Sequence, residues 1–479
     1  MLIGVLVFGT IAVLLIGSIV GFGNSVLQLS RRVAEREMAF QIAEAGVDYY
    51  RWHLAHDSDD YQDGTGQAGP YTHQFFDKSG DHIGDFVLTI TPPISGSTIV
   101  TVLSEGRLAT TTAGIVVSRK IKTRLAIPSF AKYAVVVNDA VRFGEGTEVF
   151  GPIHSNSGIR FDGLAHNLVT SAVTSYDDPD HTGAVEFGVH THLRPPPLTG
   201  SYTGFVSAEA PPSTVSTRSD VFQAGRLFPV PAVDFTGITT DLASIKADAQ
   251  ASGRYFAPSG SFGYHVVFFT DDTFNLYRVT GLSNIPNQCT NTSNQEGWGT
   301  WSIRSGGETL LGNYAIPANG LIFIEDNVWV NGTINTARVT LASGRFPDNS
   351  TTRTSITVNS DLRYTNYDGR DVIALIAQKN MNVGLYSSNI LRIDAALIAQ
   401  NGRAGRYYYE SDCGSERIRN TITLYGMIAS SQRYGFAYTD NTGYINRDII
   451  YDSFLLYGPP PSFPLTSDQY QTISWEEIQ

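Results

Sequence analysis

Charge is scarce in this sequence. Asp, Glu, Lys and Arg make up 16% of its 479 residues, and the first thirty contain none of them and no histidine. Proline is missing from the first fifty-four residues. A start without cations excludes an ordinary secretory signal, which needs a basic lead-in and a short apolar core. A start without proline leaves nothing to break a helix. The formal net charge is −12 and no basic stripe is visible, which excludes the electrostatic footprint of nucleic-acid binding. Two cysteines and no CxxC exclude a zinc ribbon or a disulfide-dense scaffold. HExxH, GxSxG, a Walker loop and a helix-opening GxGxxG are all missing, so no familiar catalytic motif organises the chain.

What is present at the N-terminus is one continuous helical pattern. An apolar run to Ser30 is followed by RRVAEREMAFQIAEAGVDYYRWHL, which is amphipathic. Residues 1–54 in one helix reach roughly 80 Å, well beyond the roughly 20 residues that cross a bilayer. The apolar half can therefore sit in lipid while the second half stands against a soluble domain. In that second half Met38, Ile42, Ala45, Tyr49 and Trp52 make one stripe at helical spacing, and Phe40, Val47 and Leu54 lie toward another face. Arg31 and Arg32 follow the apolar run, and the positive-inside rule places the remainder in the cytoplasm. The rest reads as an exported body; a short basic leader removed ahead of Met1 reconciles the two signals.

Residues 55–127 open with a Gly/Asp-rich stretch, His56 to Gly84, that reads as loop. Strand patterns follow at Phe86–Thr91, Thr98–Leu103 and Ile115–Ile127, alternating as a half-buried antiparallel sheet does. The fold class is α+β: a long helix packed on a small antiparallel sheet, then a large, mostly-β domain over residues 128–479. In that domain short apolar strands recur with polar turns, the clearest pair being IALIAQ and ALIAQN. Recurrence at intervals of about 20 to 40 residues predicts a β-solenoid-like body, with a β-sandwich as the alternative. A Pro/Thr/Ser-rich insertion, about 171–223, reads as irregular surface loop, and Thr236–Ser252 as a helix.

Half of the ten histidines fall between His154 and His192, with Asp162, Asp177, Asp178 and Asp180 interleaved. Imidazole with carboxylate is a donor set for zinc or a similar divalent ion. His154, His181, His190 and His192 are the candidate ligands of a structural metal; no other cofactor is expected. Cys289 and Cys413 are a candidate disulfide in an oxidising compartment.

The helix also resembles a family. The order Ala39, Phe40, Gln41, Ala43, Glu44, Ala45 after a hydrophobic N-terminal run is similar to the N-terminus of type IV pilins, the PilX-like group in particular. The resemblance implies a non-enzymatic structural subunit, N-methylated at its apolar end. Such a subunit waits in the inner membrane and is then built by the pilus assembly machinery into an extracellular homo-oligomeric filament. Leu2, Val5, Leu14, Leu15, Ile19 and Phe22 would then pack in the filament core. Glu44 would make a polar contact, between subunits or from helix to head. The β domain would be left outside for adhesion to a host or neighbouring cell. Two features depart from the family. Val5 stands where most pilins carry a glutamate, and Gly21-Phe22-Gly23 is expected to loosen the helix. The alternatives are a minor or tip pilin, or adhesin, and a membrane-anchored β-solenoid enzyme acting on polysaccharide.

Overall fold

The computed structural model describes residues 2–93, 98–109, 117–127, 129–183, 185–196, 209–235, 237–456, 458–465 and 469–478. Pro128, the expected domain boundary, and residues 184 and 197–208 of the expected insertion lie outside them. The chain forms two units: Met1–Ile94 with Thr98–Ile127 and Asp468–Gln479, and Ser95–Ser97 with Pro128–Ser467.

In the first unit, helix α1 spans Leu2–His56. It runs through Gly21 and Gly23 without interruption, so the expected loosening there is not seen. Its buried residues are Glu35, Ala39, Ile42, Ala43, Gly46, Val47, Tyr50 and Leu54. Met38 and Trp52, expected in the buried stripe, are exposed, whereas Val47 and Leu54 are covered. Small side chains decide which face docks. A Cβ on Gly106 of the sheet would lie 2.1 Å from the Ala39 carbonyl oxygen, and one on Gly46 would lie 2.9 Å from the Phe86 ring. Helix and sheet thus approach backbone to backbone, and only a face of Ala and Gly permits this.

The sheet comprises β1 (Tyr71–Phe76), β2 (His82–Thr91), β3 (Val100–Leu108), β4 (Ser118–Ala126) and the C-terminal strand Gln471–Ile478, antiparallel in that order. Two expectations are corrected here. β1 lies inside the stretch read as loop; its aromatic residues Tyr71 and Phe75 pack with the core beneath α1, which a local reading of a polar segment misses. The C-terminus belongs to this unit and not to a domain of 128–479. Its acidic strand pairs with the basic β4, Glu476 meeting Lys122 at 3.2 Å and Glu477 meeting Arg119.

The second unit is built on parallel ladders. One runs through Arg254–Phe256, Leu321–Ile324, Arg338–Ser343, Val372–Ala377, Ile390–Ala399 and Ile418–Ser430. It continues through Val135–Val137, Ile153–Ser155 and Val169–Ser171. The first strands in sequence therefore stack on the last. Helix α2 (Gly237–Ser252) is the connection between the two sets. Strand Val372–Ala377 shows why these runs are apolar throughout. Ile373, Leu375 and Ala377 face one core; Val372, Ala374 and Ile376 face a second, which Leu242, Ile245 and Ala249 of α2 cover. A parallel strand covered on both faces needs no alternation. The insertion is not wholly superficial, because Val221 and Phe222 reach the first core.

Asp452 makes the stability of this unit depend on pH. Burial pushes its carboxyl up to about 6 from an ordinary 3.8, against the opposing hydrogen bonds of the Phe454 amide and the Tyr425 hydroxyl. Between about pH 4 and 6 the folded chain holds a proton that the unfolded chain has released, so folding loses stability as pH rises through that window. The Asp452→Asn variant, which cannot ionise, should gain about 2–3 kcal/mol relative to the native chain between pH 4 and pH 7. Urea unfolding at the two pH values measures this; a difference that does not change with pH would contradict it.

Candidate functional site

Two regions stand out, and the first is the apolar half of α1. Its most apolar eighteen-residue window has a mean hydropathy of 2.7 and no buried residue. Leu2, Val5, Leu14, Leu15, Ile19 and Phe22 are all exposed, from 58% at Leu15 to 80% at Leu2. The apolar surface runs all around the helix, as a segment surrounded by lipid or by other helices requires. Glu44 is exposed, outside the buried stripe.

The second region is in the other unit, around a small parallel sheet. Val141–Phe143 pairs with Ile159–Phe161, which pairs with Val189–His190. Register places Arg142, Arg160 and His190 in one row, while Val141, Phe143, Ile159, Phe161 and Val189 fill the core on the other face. The two guanidiniums in this row need carboxylates, and Asp162 and Asp178 supply them. Arg160 Nε donates to Asp162 at 2.7 Å and its Nη1 to Asp178 at 3.4 Å; Arg142 lies 3.6 Å from Asp162.

The four expected histidine ligands are divided by this fold. His154 stands apart on Ile153–Ser155 with both ring nitrogens engaged, Nδ1 with Thr170 and Nε2 with Asn156, each at 3.0 Å. His181 binds Glu186 through Nδ1 at 2.8 Å, and its ring lies 4.7 Å from that of His192. His190 and His192 come together, rings 5.2 Å apart, and Asp178 joins them. Burial, with Arg160 adding repulsion, lowers the His192 imidazole to about 4, so it is neutral at pH 7.

This cluster borders a cleft of about 1310 Å³. His181 and His192 line one end; Arg403, Arg447, Tyr438 and Asn441 line the remainder. The wall carries the carboxylates Glu145, Asp180 and Glu296, against Arg142, Arg160, Lys379, Arg403, Arg433 and Arg447; Asp180 pairs with Arg433 and Glu296 with Lys379, the latter at 2.6 Å. Among the described residues Arg447 donates to the Thr147 hydroxyl and to backbone carbonyls. The cleft is thus locally cationic on an acidic protein. Arg160 and Arg447 escaped sequence reasoning, since a single arginine inside an apolar strand has no pattern; ladder register alone reveals them.

Cys289 and Cys413 are joined in a disulfide. It sits in a small apolar cluster with Leu385, Tyr407 and Tyr409, and Trp298 and Trp301 pack against it.

No protein-family model and no curated protein matches the chain. Among solved structures, the crystal structure of the competence-associated pilin ComZ from Thermus thermophilus is similar at 11% identity and a TM-score of 0.29, over 93% of this chain and 97% of that one. At that identity and score the likeness decides nothing about fold or role.

Proposed function

We propose that this chain is a structural subunit of an extracellular type IV pilus-like filament, with α1 packed against its copies as the filament core. One observation carries the reading: a single helix is apolar and uncovered over one half and docked backbone-to-backbone on an antiparallel sheet over the other. Covering a Leu, Ile or Phe side chain gains about 1.5–3 kcal/mol, and about eight turns of such surface are repeated in every copy. Lipid covers it before assembly, in the inner membrane, and neighbouring helices cover it afterwards on the cell surface. The PilX-like order of residues Ala39 to Ala45 supports the same assignment. The body is held outward, where its cationic, tyrosine-bearing cleft suits contact with a host or neighbouring cell.

A minor or tip subunit is the second reading. Val5 favours it, because an apolar residue there cannot make the acid–amine pairing attributed to major pilins. Photo-crosslinking tests the shared core of both readings. A benzophenone residue at Leu14 or Phe22 should yield covalent adducts with pilin helices in sheared filaments. Its adducts should form only with lipid when assembly is blocked. Lipid adducts alone under both conditions would leave a simple membrane anchor.

A further inference from the structure

We propose that Asp178, His190 and His192 form a binding site for a divalent cation, zinc being the ion their donor set fits. The proposal is independent of the filament reading. One ligand atom from each residue lies within 4.8 Å of the others, and all three residues are buried.

His190 carries the argument. Its Nδ1 faces the Phe187 carbonyl at 3.3 Å, an acceptor, so Nδ1 holds the proton. That leaves a lone pair on Nε2, which is buried and has no hydrogen-bond partner. Asp178 Oδ2, also a lone-pair donor, lies 3.6 Å from it. Two lone pairs facing each other in a buried place repel unless a cation lies between them. With zinc bonds of roughly 2.0–2.1 Å, a 3.6 Å separation subtends about 120° at the ion, near the angle of a four-coordinate site. A backbone carbonyl holding the far nitrogen of a ligand histidine is the support such sites have.

The surroundings agree. Asp162 and Asp178 are buried carboxylates held by Arg160, with Arg142 beside Asp162, and Glu186, also buried, is held by His181. The Asp178 carboxylate is fixed by the Asp180 amide at 3.0 Å, and its own amide is held by Glu186 at 3.0 Å, so the ligand is oriented before an ion arrives. His192 borders the cleft, which gives the ion a route in. His181 is the nearest further imidazole on that side. The rival occupant is a proton, which would turn His190 and Asp178 into an ion pair.

The test uses the full chain in detergent, stripped with a chelator and dialysed against ZnCl2 or CoCl2. Elemental analysis should find a single zinc ion per chain, lost in His190→Gln and in His192→Gln and kept in His154→Gln, whose imidazole lies outside the cluster. The unmodified chain with cobalt should show the visible bands of a four-coordinate ion. Because that reading needs no variant, misfolding of a variant cannot obscure it. No cobalt bands from the unmodified chain, or zinc kept by the His190→Gln, His192→Gln double variant, would overturn the site. Titration of His190 as an ion pair in a zinc-free chain would assign the place to the proton.

Discussion

Leu15→Asp should abolish filaments while leaving both folded units intact. Leu15 is 58% exposed in a window of α1 with no buried residue, so its replacement removes no core packing. Its cost arises only where the helix is covered. A charged residue at the centre of a membrane helix costs about 2.5–3.5 kcal/mol on insertion scales. In a helical assembly the same charge recurs in every copy, buried among apolar neighbours, and the cost multiplies along the filament. Ile11→Asp should behave the same way. Negative-stain microscopy of sheared material, with far-UV circular dichroism of the purified chain, separates loss of assembly from loss of fold. Wild-type filaments from either variant would contradict the proposed core.

Removing the disulfide should destabilise the second unit by about 4–5 kcal/mol in the chain-entropy account of a long loop. Cys289 and Cys413 are 124 residues apart in sequence, so the bond removes a large freedom from the unfolded chain. It also fastens a segment of few regular strands, through Trp298 to the Tyr408 carbonyl at 3.1 Å and through Tyr409 to the Gly299 carbonyl at 2.7 Å. The Cys289→Ser, Cys413→Ser double variant removes the bond without leaving a lone thiol. Its urea midpoint, compared with that of the native chain with and without reductant, gives the loss. A change below about 1 kcal/mol would mean that the aromatic contacts hold this segment unaided.

The long helix was legible because its signal is an absence: no charge and no proline over a stretch that only helices in lipid or in bundles can use. Which face docks was not. Ranking by hydrophobic size selects Met38 and Trp52, but Ala39, Ala43 and Gly46 set how closely the sheet approaches. Runs such as IALIAQ correctly announced strands buried on both faces. Their order in space could not be read, since Val135–Val137 stacks on Ile418–Ser430 across most of the second unit. The acidic C-terminal strand had a visible partner in the basic β4, but local patterning does not pair segments so far apart. At the histidine cluster, His190-Thr191-His192 was readable as a two-residue spacing. Asp178 was one aspartate among several until the fold brought it in, and His154 belongs to another ladder.

Electron cryo-microscopy of filaments sheared from cells that express this chain, with mass spectrometry of the same material, tests the central claim most directly. The filament account predicts that the chain is recovered in the filaments, with the apolar half of α1 packed against neighbouring helices at the axis and the β body outside. Recovery at trace level, at one end, would make it the tip subunit. A chain found only in the membrane fraction, with filaments unchanged when it is deleted, would contradict the account.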